Sequence, residues 1–76
     1  MTDQEWKIEF SRRLRVRMRN ADIRQKKLCE LTDISQPSVS KYMKGEQIPR
    51  IDDLHKIAKA LDCTTDELIH FDECEY

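Results

Sequence analysis

Trp6, Phe10, Leu14 and Met18 recur every four residues behind Thr2-x-x-Glu5, and nowhere in the chain do apolar and polar residues alternate with the two-residue period of a half-buried strand. Thr2 and Glu5 have the spacing of a capping box, in which hydroxyl and carboxylate each satisfy the other's backbone N–H. The spacing therefore predicts a first helix over residues 3–19. With no strand pattern, no internal repeat and no low-complexity tract, only an all-α arrangement remains. The chain has 76 residues, enough for one small core and too few for two.

The remaining helices follow from their breakers. Asn20, Ala21 and Asp22 interrupt the first periodicity, after which residues 25–32 read as a short second helix with Leu28 and Leu31 inward and Cys29 at a tight position. Asp33 and Ile34 lead to Ser35, an N-cap residue. Pro37 then falls in the first turn of a third helix, where its missing N–H costs nothing. That helix is expected to stop near Lys44, with Gly45 as a left-handed C-cap. Ile48, in the loop before Pro49, is expected to plug the core. A fourth helix over residues 51–61 buries Leu54, Ile57, Ala58 and Leu61, with Asp52 and Asp53 favouring its positive end. Thr64-x-x-Glu67 repeats the capping-box pattern and starts a short fifth helix that buries Leu68 and Ile69. Residues 72–76 form an acidic tail, so the expected domain spans residues 1–71.

Charge divides the chain. Residues 1–50 carry twelve Lys/Arg against seven Asp/Glu, whereas residues 51–76 carry two against eight, so the net charge of −1 conceals a basic half and an acidic half. Arg12, Arg13, Arg15, Arg17 and Arg19 crowd the first helix. A solvated face explains most of them, but their density raises the local positive potential. The three cysteines, Cys29, Cys63 and Cys74, are odd in number and irregular in spacing, and no apolar run is long enough for a secretory leader or a membrane span. These features point to a reducing cytoplasm. Cys63, His70 and Cys74 fit no usual zinc spacing, and core or surface thiols are the plainer reading. His55 and His70 are isolated, with no constellation around them that would suggest an enzyme.

Residues 33–49 carry Val39, Tyr42 and Met43 at helical spacing beneath short polar side chains. Two short helices joined by a tight turn, with a small residue inside the first and an aliphatic one inside the second, make a helix-turn-helix. The stretch RQKKLCELTDISQPSVSKYMKGEQIPRIDDLHKIAKALDCTTDELI resembles the Cro/repressor (XRE-type) helix-turn-helix family. In that family Gln opens the second helix, a Leu-small pair follows, a Ser-rich recognition helix ends in Gly, and Pro precedes an L…IAKAL helix leading to DEL. The resemblance implies a compact five-helix, lambda-repressor-like DNA-binding domain. It also implies roles. Gln25 would bond a DNA phosphate at the positive end of its helix, flanked by Arg24. Gln36 would contact adenine N6 and N7 through its amide. Pro37, Ser38, Ser40 and Lys41 would fill the other groove-facing positions, with Lys41 able to reach guanine or a phosphate, and Lys44, Gln47 and Arg50 would form a second phosphate clamp. Plain solvated surface is the competing reading for each of these residues.

Three positions depart from the family pattern. Asp33 stands where Gly is usual in the turn, Arg50 replaces a Ser or Asp cap, and Met18 and Met43 replace an Arg–Glu ion pair. Replacing both charges together avoids stranding one in the interior, so the two methionines are expected to touch. The function implied is a sequence-specific transcriptional regulator, a cytoplasmic repressor that binds a pseudo-palindromic double-stranded operator as a homodimer through residues 36–44. It would have no cofactor, metal, membrane or small-molecule ligand. Leu68, Ile69, Phe71 and Tyr76 are the candidate dimer contacts, although core packing explains Leu68 equally well. The alternative is an antitoxin-like interaction module that binds a protein through the acidic half.

Overall fold

The computed structural model describes residues 2–69. Five helices follow in order: α1 Asp3–Asn20, α2 Gln25–Thr32, α3 Gln36–Lys44, α4 Ile51–Ala60 and α5 Thr65–Ile69. Both predicted capping boxes form. The Glu5 N–H donates to Thr2 Oγ1 at 3.2 Å while Glu5 Oε1 accepts from the Thr2 N–H at 3.1 Å. These bonds to Thr2 hold the Glu5 carboxyl below its ordinary pKa. At the start of α5, Glu67 and Thr64 exchange the same two bonds.

The helices are ended by a shared device. Asp22, Asp33, Gly45 and Asp62 follow α1, α2, α3 and α4 with φ of 55°, 59°, 77° and 56°. Asp is among the few side chains that enter this left-handed region at modest cost, which is how one glycine suffices for four helix ends. After α1, α3 and α4 the next residue closes a Schellman motif: Ile23 N–H to Met18 O at 2.9 Å, Glu46 N–H to Lys41 O at 3.0 Å and Cys63 N–H to Ala58 O at 2.9 Å. Ile23 and Cys63 then pack against the core. Gly45 meets a further demand, because a Cβ there would lie 3.3 Å from both Ile8 Cα and Ser11 Oγ and 3.4 Å from Lys7 O. The end of α3 thus rests directly on α1, and Ser11 is buried at this crossing.

Phe10, Leu14 and Met18 of α1 meet Leu28, Val39, Tyr42, Leu54, Ile57, Ala58, Leu61 and Leu68 in one core, which Ile34 of the α2–α3 turn joins. Burying each of the larger side chains stabilises the fold by roughly 1.5–3 kcal/mol before conformational entropy is counted. Met18 is buried and Met43 packs, half-buried, against the same core.

Three sequence expectations need correction. Leu31 is 49% exposed, and Thr32 takes the inward position instead. Leu28 and Thr32 lie four residues apart on one line, and burial of the threonine is tolerated because its hydroxyl donates to Leu28 O at 2.7 Å. Ile48 is only half-buried, whereas its neighbour Pro49 is buried. Proline brings no N–H that would need a partner in the interior. Leu68 is fully buried, which removes it from the candidate dimer contacts, and Ile69 packs partly against the core. Phe71, Tyr76, His70, Cys74 and the acidic tail lie outside the described residues.

Candidate nucleic-acid interface

α2 and α3 are joined by Asp33, Ile34 and Ser35. The Asp33 N–H donates to Cys29 O at 2.8 Å, Ile34 anchors the turn in the core, and Ser35 occupies the N-cap of α3 in extended geometry. The serine does not cap the backbone as expected. Its hydroxyl donates to Ser38 Oγ at 2.9 Å. An N-cap oxygen ordinarily accepts from the second or third helical N–H; here the second residue is Pro37, which has none, and the third, Ser38, offers a competing hydroxyl.

Val39 and Tyr42 turn into the core. At 100° per residue the opposite side of α3 belongs to Pro37, Ser40, Lys41 and Lys44, with Gln36 at its edge. Gln36, Pro37, Lys41 and Lys44 are exposed, and Ser38 and Ser40 are half-buried. Gln25, the first residue of α2, donates from Nε2 to Gln36 O at 3.4 Å, so the amino-terminal ends of α2 and α3 lie side by side. Arg24 holds the N-cap of α2 and Arg50 that of α4, neither with a side-chain capping bond. α4 starts at Ile51 without the usual cap, with Asp52 and Asp53 in its first turn. Both arginines are exposed, as is Gln47 in the α3–α4 loop. Gln25, Gln36 and the α3 face are thereby gathered, while Gln47 and Arg50 follow on the segment that leaves α3.

One tie was absent from the sequence reading. Tyr42 Oη donates to Asp53 Oδ2 at 2.9 Å, linking α3 to α4. Burial, with the Asp53 carboxylate beside it, pushes the phenol up to about 12. Eleven residues separate the partners, and no local pattern announces such a pair.

The arginines of α1 are not equivalent. Arg12 and Arg13 pair with Glu9 at 3.6 and 3.3 Å. Arg13 Nη1 also donates to Glu67 O at 3.4 Å, and Arg17 lies 3.9 Å from the Glu67 carboxylate. Arg13 and Arg17 thus strap α1 to α5. Pairs at or near the surface, as these are, contribute about 0–1 kcal/mol each.

The thiols of Cys29 and Cys63 are both pushed up by burial, so at neutral pH neither is a reactive thiolate. Among the described residues no three His, Cys, Asp or Glu side chains gather as a metal site, and no helix is long and apolar enough to cross a membrane.

A family model for the Cro/C1-type HTH DNA-binding domain matches residues 13–73. A solved structure, the solution structure of the SOS-response transcriptional repressor LexA from Eubacterium rectale, superposes with a TM-score of 0.82 at 19% sequence identity, covering 95% of this chain and 77% of that one. At that identity the likeness is one of fold. No curated protein matches the sequence.

Proposed function

We propose that this chain, which belongs to the Cro/C1-type helix-turn-helix DNA-binding family, represses transcription by setting α3 into the major groove of a pseudo-palindromic operator. The family makes the chain a non-enzymatic DNA-binding regulator. The observation that carries the finer reading is the division of α3: Val39 and Tyr42 are sealed in the core, while Gln36, Pro37, Lys41 and Lys44 are exposed on the other side. Gln36 reads adenine through the donor and acceptor of its amide, Lys41 reaches guanine or a phosphate, and Ser38 and Ser40 offer short adaptable hydroxyls. Pro37 contributes an apolar contact and sets the helix start.

Phosphate contacts position this reading head. Gln25 keeps an N–H for a phosphate after its bond to Gln36 O, beside Arg24, and Lys44, Gln47 and Arg50 supply the second clamp. Two such domains bind half-sites about 34 Å apart, one helical turn of DNA. Occupancy then hinders polymerase sterically in the cytoplasm. An interaction module acting through the acidic half is less well supported, because Glu67 of that half is engaged by Arg13 and Arg17 within the domain.

Selection from random duplexes followed by sequencing is expected to enrich a short inverted repeat, with affinity falling steeply as salt rises. Gln36→Ala is expected to relax preference at one base pair per half-site, at a cost of about 1–3 kcal/mol. Failure to enrich any motif would overturn the reading.

A further inference from the structure

Two lines of residues at four-residue spacing run along α1, and they face different neighbours. Glu9, Arg13 and Arg17 form the first; Arg13 and Arg17 meet Glu67 of α5, and Glu9 pairs with Arg13. Ser11, Arg15 and Arg19 form the second. Side chains four apart on a helix lie over one another, so this second line begins where Ser11 lies against Gly45 at the end of α3 and continues with two guanidinium groups. Both arginines are exposed. Arg15 Nε donates to Ser11 O at 3.3 Å, which lays its side chain back along the line toward the Gly45 crossing.

Every arginine of the first line is met by a carboxylate, and Arg12 is met by Glu9. Among the described residues Arg15 and Arg19 have no acidic partner. Asp22 and Glu46, the acids at the adjoining helix ends, pair with neither. Among the described residues, the flank of α1 that begins at the Gly45 crossing therefore carries positive charge with no acidic partner, next to the end of α3 that bears Lys44, while the flank turned to α5 is paired with Glu67.

We infer that Arg15 and Arg19 form a second track for the DNA backbone, binding phosphates outside those held by the helix-turn-helix. The partner fits by charge, since a duplex offers one negative charge per about 1.7 Å of its axis, and by continuity, since the strip adjoins the helix that reads the groove. Phosphate contacts of this kind carry no base preference. The track strengthens binding to all sequences alike and makes it steeper in salt. The inference rests on α3 as the reading helix, and the test separates the two.

Binding to the selected operator duplex is measured by fluorescence anisotropy at four salt concentrations for the parent chain, Arg15→Gln/Arg19→Gln, Arg13→Gln/Arg17→Gln and Lys44→Gln. Each lost phosphate contact removes about 0.9 from the slope of log K against log salt. The Arg15/Arg19 variant is expected to be shallower by about 2, with its ranking of operator variants and its thermal midpoint unchanged. The Arg13/Arg17 variant is expected to melt earlier and to keep nearly the parental slope. Should the double variant fail to fold, Arg19→Gln alone carries the test with a change of about 1, because that side chain makes no hydrogen bond or ion pair among the described residues. A parental slope in the Arg15/Arg19 variant beside a shallower one in Lys44→Gln overturns the track and leaves α3 as the reading helix. Parental slopes in both, or no binding by the parent chain, overturn both readings.

Discussion

Asp33 and Gly45 bracket α3, and both lie in the left-handed region, at φ of 59° and 77°, yet they answer different demands. Asp33 is exposed on a turn where only the backbone conformation is special. Gly45 needs that conformation and also has Ile8, Ser11 and Lys7 within 3.3–3.4 Å of where a Cβ would be. Conformation is a requirement several residue types can meet. Space is one that any side chain meets here only if Ile8, Ser11 or Lys7 yields by a few tenths of an ångström.

The locks at the two ends differ in the same way. Near Gly45, α3 is tied to α4 by the part-buried bond between Tyr42 and Asp53 at 2.9 Å, whereas near Asp33 it is tied to α2 by the exposed bond from Gln25 to Gln36 O at 3.4 Å. The carboxyl end of α3 is held by packing and a short bond, and its amino end by a turn and a long one. That asymmetry suits the proposed role, in which the amino end of α3 approaches base edges.

Gly45→Ala should give the largest effect, about 2–4 kcal/mol of lost stability in urea unfolding, combining left-handed strain with overpacking. Gly45→Asp divides the two causes. Aspartate relieves part of the strain but brings the same Cβ, so a loss of about 2 kcal/mol should remain; parental stability would break the comparison.

Tyr42→Phe should cost about 1–2 kcal/mol by leaving the Asp53 carboxylate without its donor. The phenol's folded pKa, raised to about 12, lies above the ordinary value near 10. The neutral form is the one favoured in the fold, so its contribution is fully present below pH 10 and is lost as pH rises toward 12. Thermal midpoints followed by far-UV circular dichroism should fall across that window more steeply in the parent than in Tyr42→Phe. Equal slopes would remove the bond from the account.

At the other end the changes should be smaller. Asp33→Ala should cost about 1 kcal/mol, and Asp33→Gly should leave stability within about 0.5 kcal/mol of the parent. Chemical denaturation of the pair measures this directly, and a loss in Asp33→Gly comparable to that in Gly45→Ala would erase the distinction. Gln25→Ala should be smallest, about 0.5 kcal/mol, as befits a long exposed bond.

Much of this was legible in the sequence because the signals are local. The capping boxes at Thr2 and Thr64 fixed the starts of α1 and α5, Gly45 fixed the end of α3, and the Val39–Tyr42 stripe told which side of α3 is exposed. What escaped depends on neighbours distant in the chain. In an eight-residue helix, Leu28–Leu31 and Leu28–Thr32 are equally good inward lines, and only the positions of α3 and α4 decide between them. Ile48 and Pro49 are adjacent, and hydropathy favours the wrong one because it takes no account of the proline's missing N–H. The separation of the α1 arginines into those strapped to α5 and those with no acidic partner among the described residues required knowing that Glu67 returns to α1 from more than fifty residues away.

The four left-handed helix ends also set where the sequence has slack. In a library randomised at all four, positions 22, 33 and 62 should each accept Asp, Asn or Gly and drift independently, while position 45 should return glycine alone unless Ile8 and Ser11 move with it. The chain can therefore revise most of its corners one residue at a time. The corner that seats α3 on α1 is expected to change most readily by coordinated substitution, which makes it the point where altered docking of that helix would be hardest to reach by single mutations.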